Sequence, residues 1–145
     1  MKKKVSNVLK FLFLLLLMLV NCSQNSSSEN DDDGKIKVNL INAETVNNGT
    51  ECFFSIFEDG TDTNTDSAIE IMHTIIINGK TSSTSVNTYP EGEKYDIWII
   101  VDNNGNADDD DPHPGGGDAY NDIAYNVTID GDETITVDYN DLIIY

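Results

Sequence analysis

The sequence predicts an all-β fold, a single β-sandwich of about seven to eight strands. Three observations carry that expectation. Apolar and polar residues alternate at a period of two through short stretches, as in Ile36, Val38 and Leu40. Turn-forming pairs such as Asn78-Gly79 and Asp130-Gly131 punctuate those stretches. No segment sustains a helical period of 3.6.

The strands follow in order. Lys37 and Asn39 separate Ile36, Val38 and Leu40, which gives the first strand one apolar face. After the turn-prone Asn47-Asn48-Gly49 come Cys52, Phe54 and Ile56, set in Glu51-Cys52-Phe53-Phe54-Ser55-Ile56-Phe57. Ile69, Ile71, His73, Ile75 and Ile77 form the next alternating series. Asn78-Gly79 closes it, because both residues accept the positive φ that a type I′ hairpin turn requires. The Thr- and Ser-rich return, 81–88, reads as an exposed partner strand. Pro90-Glu91-Gly92-Glu93 then turns the chain into residues 95–101, the most apolar strand and the expected sheet centre. Tyr95, Ile97, Ile99 and Val101 share one of its faces, and Trp98 and Ile100 share the other. A long loop leads to a strand over 123–129, Asp130-Gly131 supplies a further hairpin signal, and Ile135, Val137, Leu142 and Ile144 close the domain. The 111 residues from 35 to 145 suffice for one core that buries roughly two-thirds of the chain's surface. No internal repeat points to a propeller or solenoid.

Two segments of different composition precede this domain. Lys2, Lys3, Lys4 and Lys10 give a positive start, and 11–20 is an unbroken apolar block, the n-region and h-region of a secretory signal. Ten apolar residues are too few to span a bilayer as a helix. The stretch Leu19-Val20-Asn21-Cys22 resembles the lipobox of bacterial lipoproteins, departing from it at Asn21, where Gly, Ala or Ser is usual. The resemblance implies that 1–21 is a cleaved signal peptide and that Cys22 becomes a diacylated N-terminus anchored to the membrane. With Ser23 rather than Asp after the cysteine, it implies the outer membrane or cell surface. Residues 22–34 read as an acidic, Ser-rich disordered tether, with Asp31, Asp32 and Asp33 either a solvated linker or an export signal.

Cleavage would sharpen the charge. Four of the eight lysines lie in 1–21 and the chain has no arginine, so the mature part sets Lys35, Lys37, Lys80 and Lys94 against all 26 acids, a formal charge of −22. Such a polyanion repels phosphate backbones and anionic headgroups, so nucleic acid is excluded as a partner and membrane contact must come through the lipid. From residue 95 to 145 there are 13 acids and no Lys or Arg. With Cys22 lipidated, Cys52 stands alone, so a structural disulfide is not expected and Cys52 reads as a small buried hydrophobe.

The chemistry concentrates in the loop that leaves the central strand, Asp102-Asn103-Asn104-Gly105-Asn106-Ala107-Asp108-Asp109-Asp110-Asp111. Asp102, Asn104 and Asn106 line up alternate oxygens, Asp108 adds a carbonyl, and Asp110 stands where a closing carboxylate belongs. Calcium takes this mixture of carboxylate, amide and backbone oxygens. Asp111, Asp118 and Asp122 are later candidates. The loop resembles the Asp-x-Asn-Gly-Asn-Gly-x-x-Asp loops of extracellular β-domains, with Ala107 in place of the last glycine. It is no EF-hand, since Ala107 and His113 occupy the positions that need Gly and Glu, and no flanking helix is expected. A solvated Asx-rich turn is the competing reading. Residues 91–102 and the loop after them are similar to small transthyretin-like or Cna-B-like modules, which implies a sandwich used in display or adhesion rather than catalysis.

His73, in phase with Ile71 and Ile75, reads as a core or sheet-surface residue, while His113 lies between Pro112 and Pro114 beside the aspartates. No nucleophile elbow, zinc helix or phosphate-binding loop occurs, and Gly115-Gly116-Gly117 has no basic residue beside it, so no enzyme activity is expected. The leading expectation is a lipid-anchored, calcium-binding envelope protein with a protein or glycan ligand. The alternatives are a metal-dependent hydrolase using His113 and nearby aspartates, or a passive acidic surface protein.

Overall fold

Strands whose two faces are both apolar must be covered twice, and the strands of this chain sort by that criterion. The computed structural model describes residues 33–62, 67–107 and 112–145. Nine strands occur among them: β1 (Ile36–Ile41), β2 (Glu51–Glu58), β3 (Glu70–Ile75), β4 (Thr81–Thr84), β5 (Lys94–Asp102), β6 (Ala119–Tyr120), β7 (Tyr125–Thr128), β8 (Glu133–Asp138) and β9 (Ile143–Ile144). The smaller sheet runs β4-β1-β8. The larger runs β3-β2-β5-β6-β9, with β7 also paired to β5. The fold is an all-β sandwich, with β6 and β9 too short for any alternation to announce them.

The core lies between the sheets. Ile36, Val38 and Leu40 of β1 are fully buried, as are Cys52, Phe54 and Ile56 of β2 and Ile97, Ile99 and Val101 of β5. Each such aliphatic or aromatic side chain contributes about 1.5–3 kcal/mol on leaving water. Burial also pushes the Cys52 thiol well above its usual pKa, so it stays a protonated hydrophobe. The described strands bury a core of their own within 33–145. No helix among the described residues is long and apolar enough to cross a membrane.

The turn at Asn78-Gly79 has the expected positive φ at both residues, 52° and 74°, and closes with the Ile77–Lys80 bridge. Beyond it the expected hairpin does not continue. β4 pairs antiparallel with β1 in the other sheet, and a Thr74–Thr81 hydroxyl contact at 2.9 Å links its start back to β3. Turn chemistry fixes the reversal but not the sheet to which the returning strand belongs. Asp130-Gly131 behaves alike: Gly131 has φ 80°, yet β7 lies in the larger sheet while β8 lies parallel to β1.

The series Ile69, Ile71, His73, Ile75 and Ile77 has the expected period, and it faces outward. Met72 and Ile76 fill the core instead, while Ile69, Ile75 and Ile77 are exposed. His73 is accordingly a sheet-surface residue, stacked on Phe53 at 4.7 Å and 3.6 Å from Glu51. The strand expected over 123–129 shrinks to β7, and Ile123 is exposed.

Candidate functional site

β5 leaves the larger sheet at Asp102, whose side chain shares a face with Trp98 and Ile100 and is only 4% exposed. A carboxylate this buried needs partners, and the loop supplies them. Asp102 Oδ1 accepts the backbone N–H groups of Asn104, Gly105 and Asn106 at 3.3, 2.7 and 3.1 Å, and Oδ2 accepts that of Ala107 at 3.0 Å. Gly105, at φ 74°, allows the tight turn. Burial raises the Asp102 pKa, but the four N–H bonds outweigh it and leave the carboxyl below its usual range.

The returning strand answers with a second carboxylate. Asp118 is fully buried, and it accepts the N–H of Asn103 at 3.0 Å and of Gly115 at 2.6 Å. The amides of Asn103 and Asn104 donate to the carbonyls of Gly117 and Gly116 at 2.9 and 2.8 Å. Asn106 packs so close to Gly115 that a Cβ there would meet its amide at 2.6 Å. Both feet of the loop are therefore tied together.

Of the residues expected to hold a cation, Asp102, Asn104 and Asn106 fall within the described residues, and Asp108 and Asp110 lie outside them, as do Asp111 and the lipidation candidate Cys22. Among the described residues no group of three or more His, Cys, Asp or Glu is placed to hold a metal ion. Asp102 is committed first to the loop's N–H groups, and Oδ2, with a single N–H partner, keeps most acceptor capacity. Asn104 donates through Nδ2, which leaves its carbonyl oxygen as an acceptor. These are hard oxygen donors of the kind calcium takes. Asp118 is fully buried and turned onto the backbone N–H groups of Asn103 and Gly115, and Asp122 is exposed four residues further along the chain.

A second feature was not anticipated. The outer face of the larger sheet is apolar too: Phe53, Phe57 and Ile100 are buried there, outside the inter-sheet core. Cross-strand pairing lines up Ile71, Ser55 and Trp98 in one row and His73, Phe53, Ile100 and Tyr120 in the next. Ser55 is the small residue in this field, and over it opens a cavity of about 280 Å³. Trp98 and Ile100 of β5 line it, as do His113 with its flanking prolines and Tyr120, Asp122 and Tyr145. The tied loop thus delivers His113 to a cavity wall. The signal in the sequence was the lack of alternation in 52–57 and 95–101, where both faces are apolar.

Compared with protein-family models, curated proteins and solved structures, the chain matches none.

Proposed function

We propose that this is a lipid-anchored β-sandwich of the bacterial cell envelope, a binding and display module whose acidic loop takes calcium. The observation that supports the ion is the closure of the loop. Asp102 and Asp118 gather six backbone N–H groups and hold Ala107 and Gly115 on either side of a segment that carries four consecutive aspartates. Four carboxylates kept within one short span repel one another, and a divalent cation offsets that repulsion. Asp102, Asn104, Asn106, Asp108 and Asp110 would supply the oxygens, and the ion's role would be to stiffen the loop. Support for the anchor comes from the lysine-led apolar block and the lipobox-like stretch ending at Cys22.

The test is the melting temperature of 33–145 in calcium and in chelator. Extracellular modules bind calcium at about 10⁻⁴–10⁻³ M, so a hundredfold excess over Kd adds about 2.7 kcal/mol. For a domain this size that raises Tm by roughly 10 °C. Superimposed curves in calcium and chelator would sink the ion. The anchor is checked by mass spectrometry of the mature N-terminus, where a diacylglyceryl Cys22 is expected and an unprocessed Asn21-Cys22 bond would refute it.

A further inference from the structure

We propose that the cavity on the outer face of the larger sheet binds an alkylated ammonium cation between the rings of Trp98, Tyr120 and Tyr145, with Asp122 as counter-charge. The site is separate from the calcium reading and stands or falls without it.

Shape comes first. Phe53 and Phe57 flank Ser55 on the same face of β2, so Ser55 leaves a dip where a large side chain would otherwise fill the row. The resulting 280 Å³ lies just under the range of drug-sized pockets, which suits one headgroup rather than an extended chain. Part of the lining is aromatic: Tyr120 and Tyr145 lie with ring centroids 6.0 Å apart and planes at 57°, and Trp98 lines the same cavity, beside His113 and its flanking prolines. Aromatic faces carry negative quadrupole density that attracts cations.

Charge selects among ligands. Leaving aside Asp102 and the four aspartates of the loop, eight acids and no Lys or Arg occur from residue 95 to 145, so the region repels phosphates and acidic sugars and concentrates cations. A neutral sugar gains from the rings but nothing from this field. A metal ion gains from the field but gives up tightly held water on entering an aromatic cavity. An alkylated ammonium gains from both: its charge is spread over weakly hydrated methyl groups that also bury apolar surface against Trp98 and Ile100. Asp122, exposed on the rim, supplies a carboxylate without burying an unpaired charge.

Trp98 is the only tryptophan, so its emission reports on the cavity alone. Residues 33–145 are titrated at constant ionic strength with choline chloride and, separately, with 3,3-dimethylbutan-1-ol, which replaces the ammonium nitrogen by carbon. The expected result is a saturable change with choline and at least about fivefold weaker binding of the alcohol. Added sodium chloride weakens the choline binding. Tyr145→Leu, which keeps apolar contact and removes the ring, and Asp122→Asn each weaken choline about threefold with unchanged melting temperature. Broadening of the choline methyl proton resonance gives a second readout should Trp98 emission be insensitive. Equal affinity for the alcohol, saturation by methyl glucoside in place of choline, or no saturable response in either readout overturns the proposal.

Discussion

Asp102→Asn tests the idea that one buried carboxylate organises the loop. The substitution keeps the shape but exchanges Oδ2, which accepts the Ala107 N–H, for an amide that donates, so two donors face each other. An unsatisfied buried donor costs about 1–3 kcal/mol. The remaining bonds from Asn104, Gly105 and Asn106 lose their charge assistance, about half their strength. These losses overlap, and about 3 kcal/mol in total is expected, a fall in Tm of roughly 12 °C for a domain of this size. The pH dependence distinguishes this from general damage. Asp102 has a folded-state pKa below its unfolded value, so its stabilisation is fully present above about pH 3.9 and is lost as pH falls through the folded pKa. Asparagine does not titrate. The gap between wild type and variant, measured by circular dichroism melting in chelator, is therefore widest near neutral pH and narrows in acid below about pH 3.9. A gap that stays constant with pH, or no gap at neutral pH, refutes the reasoning.

Two further substitutions probe close contacts elsewhere in the sandwich. Asn121 is buried beside β5 between the segments paired by β6 and β7, accepting from the Ile99 N–H at 2.6 Å and donating to the carbonyls of Ile97 and Ile123. Its amide thus takes the place of a missing strand. Asn121→Ala should cost about 3 kcal/mol in urea unfolding, and a loss under about 1 kcal/mol would show that the sheet closes the gap itself. A Cβ on Gly34 would lie 1.7 Å from the Gly131 carbonyl oxygen, so Gly34→Ala must push the backbone away and loosen the bridge to Tyr89. A loss of about 1–3 kcal/mol is expected in the same assay, and an unchanged midpoint would mean that this approach is not tight.

How far the sequence revealed this molecule depends on which physical signal each element left. Ile36, Val38 and Leu40 alternate with their polar neighbours as their burial demands, and a period of two is a local property. The phase of 69–77 was legible only as an alternation; that its isoleucines point outward depends on a second apolar layer that no single strand encodes. Pairing partners were hidden for the same reason. Asn78-Gly79 and Asp130-Gly131 encode reversals, while the choice of sheet for β4 and β8 is made by long-range packing. At the loop, the acidic string was plain, but the use of Asp102 and Asp118 as backbone acceptors was not, since Asp118 stands 15 residues from the N–H of Asn103 that it accepts. The cavity was the least visible of all, being a product of one small residue, Ser55, among large neighbours on three strands.

The position of β1 has a mechanical consequence. It lies between β4, antiparallel to it over four residue pairs, and β8, parallel to it over six. Tension entering at residue 33 and directed along the strand runs across both ladders at once, so their hydrogen bonds share the load in shear instead of unzipping singly. Domains arranged to unzip yield at low force, because one bond breaks at a time. Here the strand nearest the N-terminal segment is held along both edges, and under a pull on that segment the sandwich should hold until most of the smaller sheet fails together.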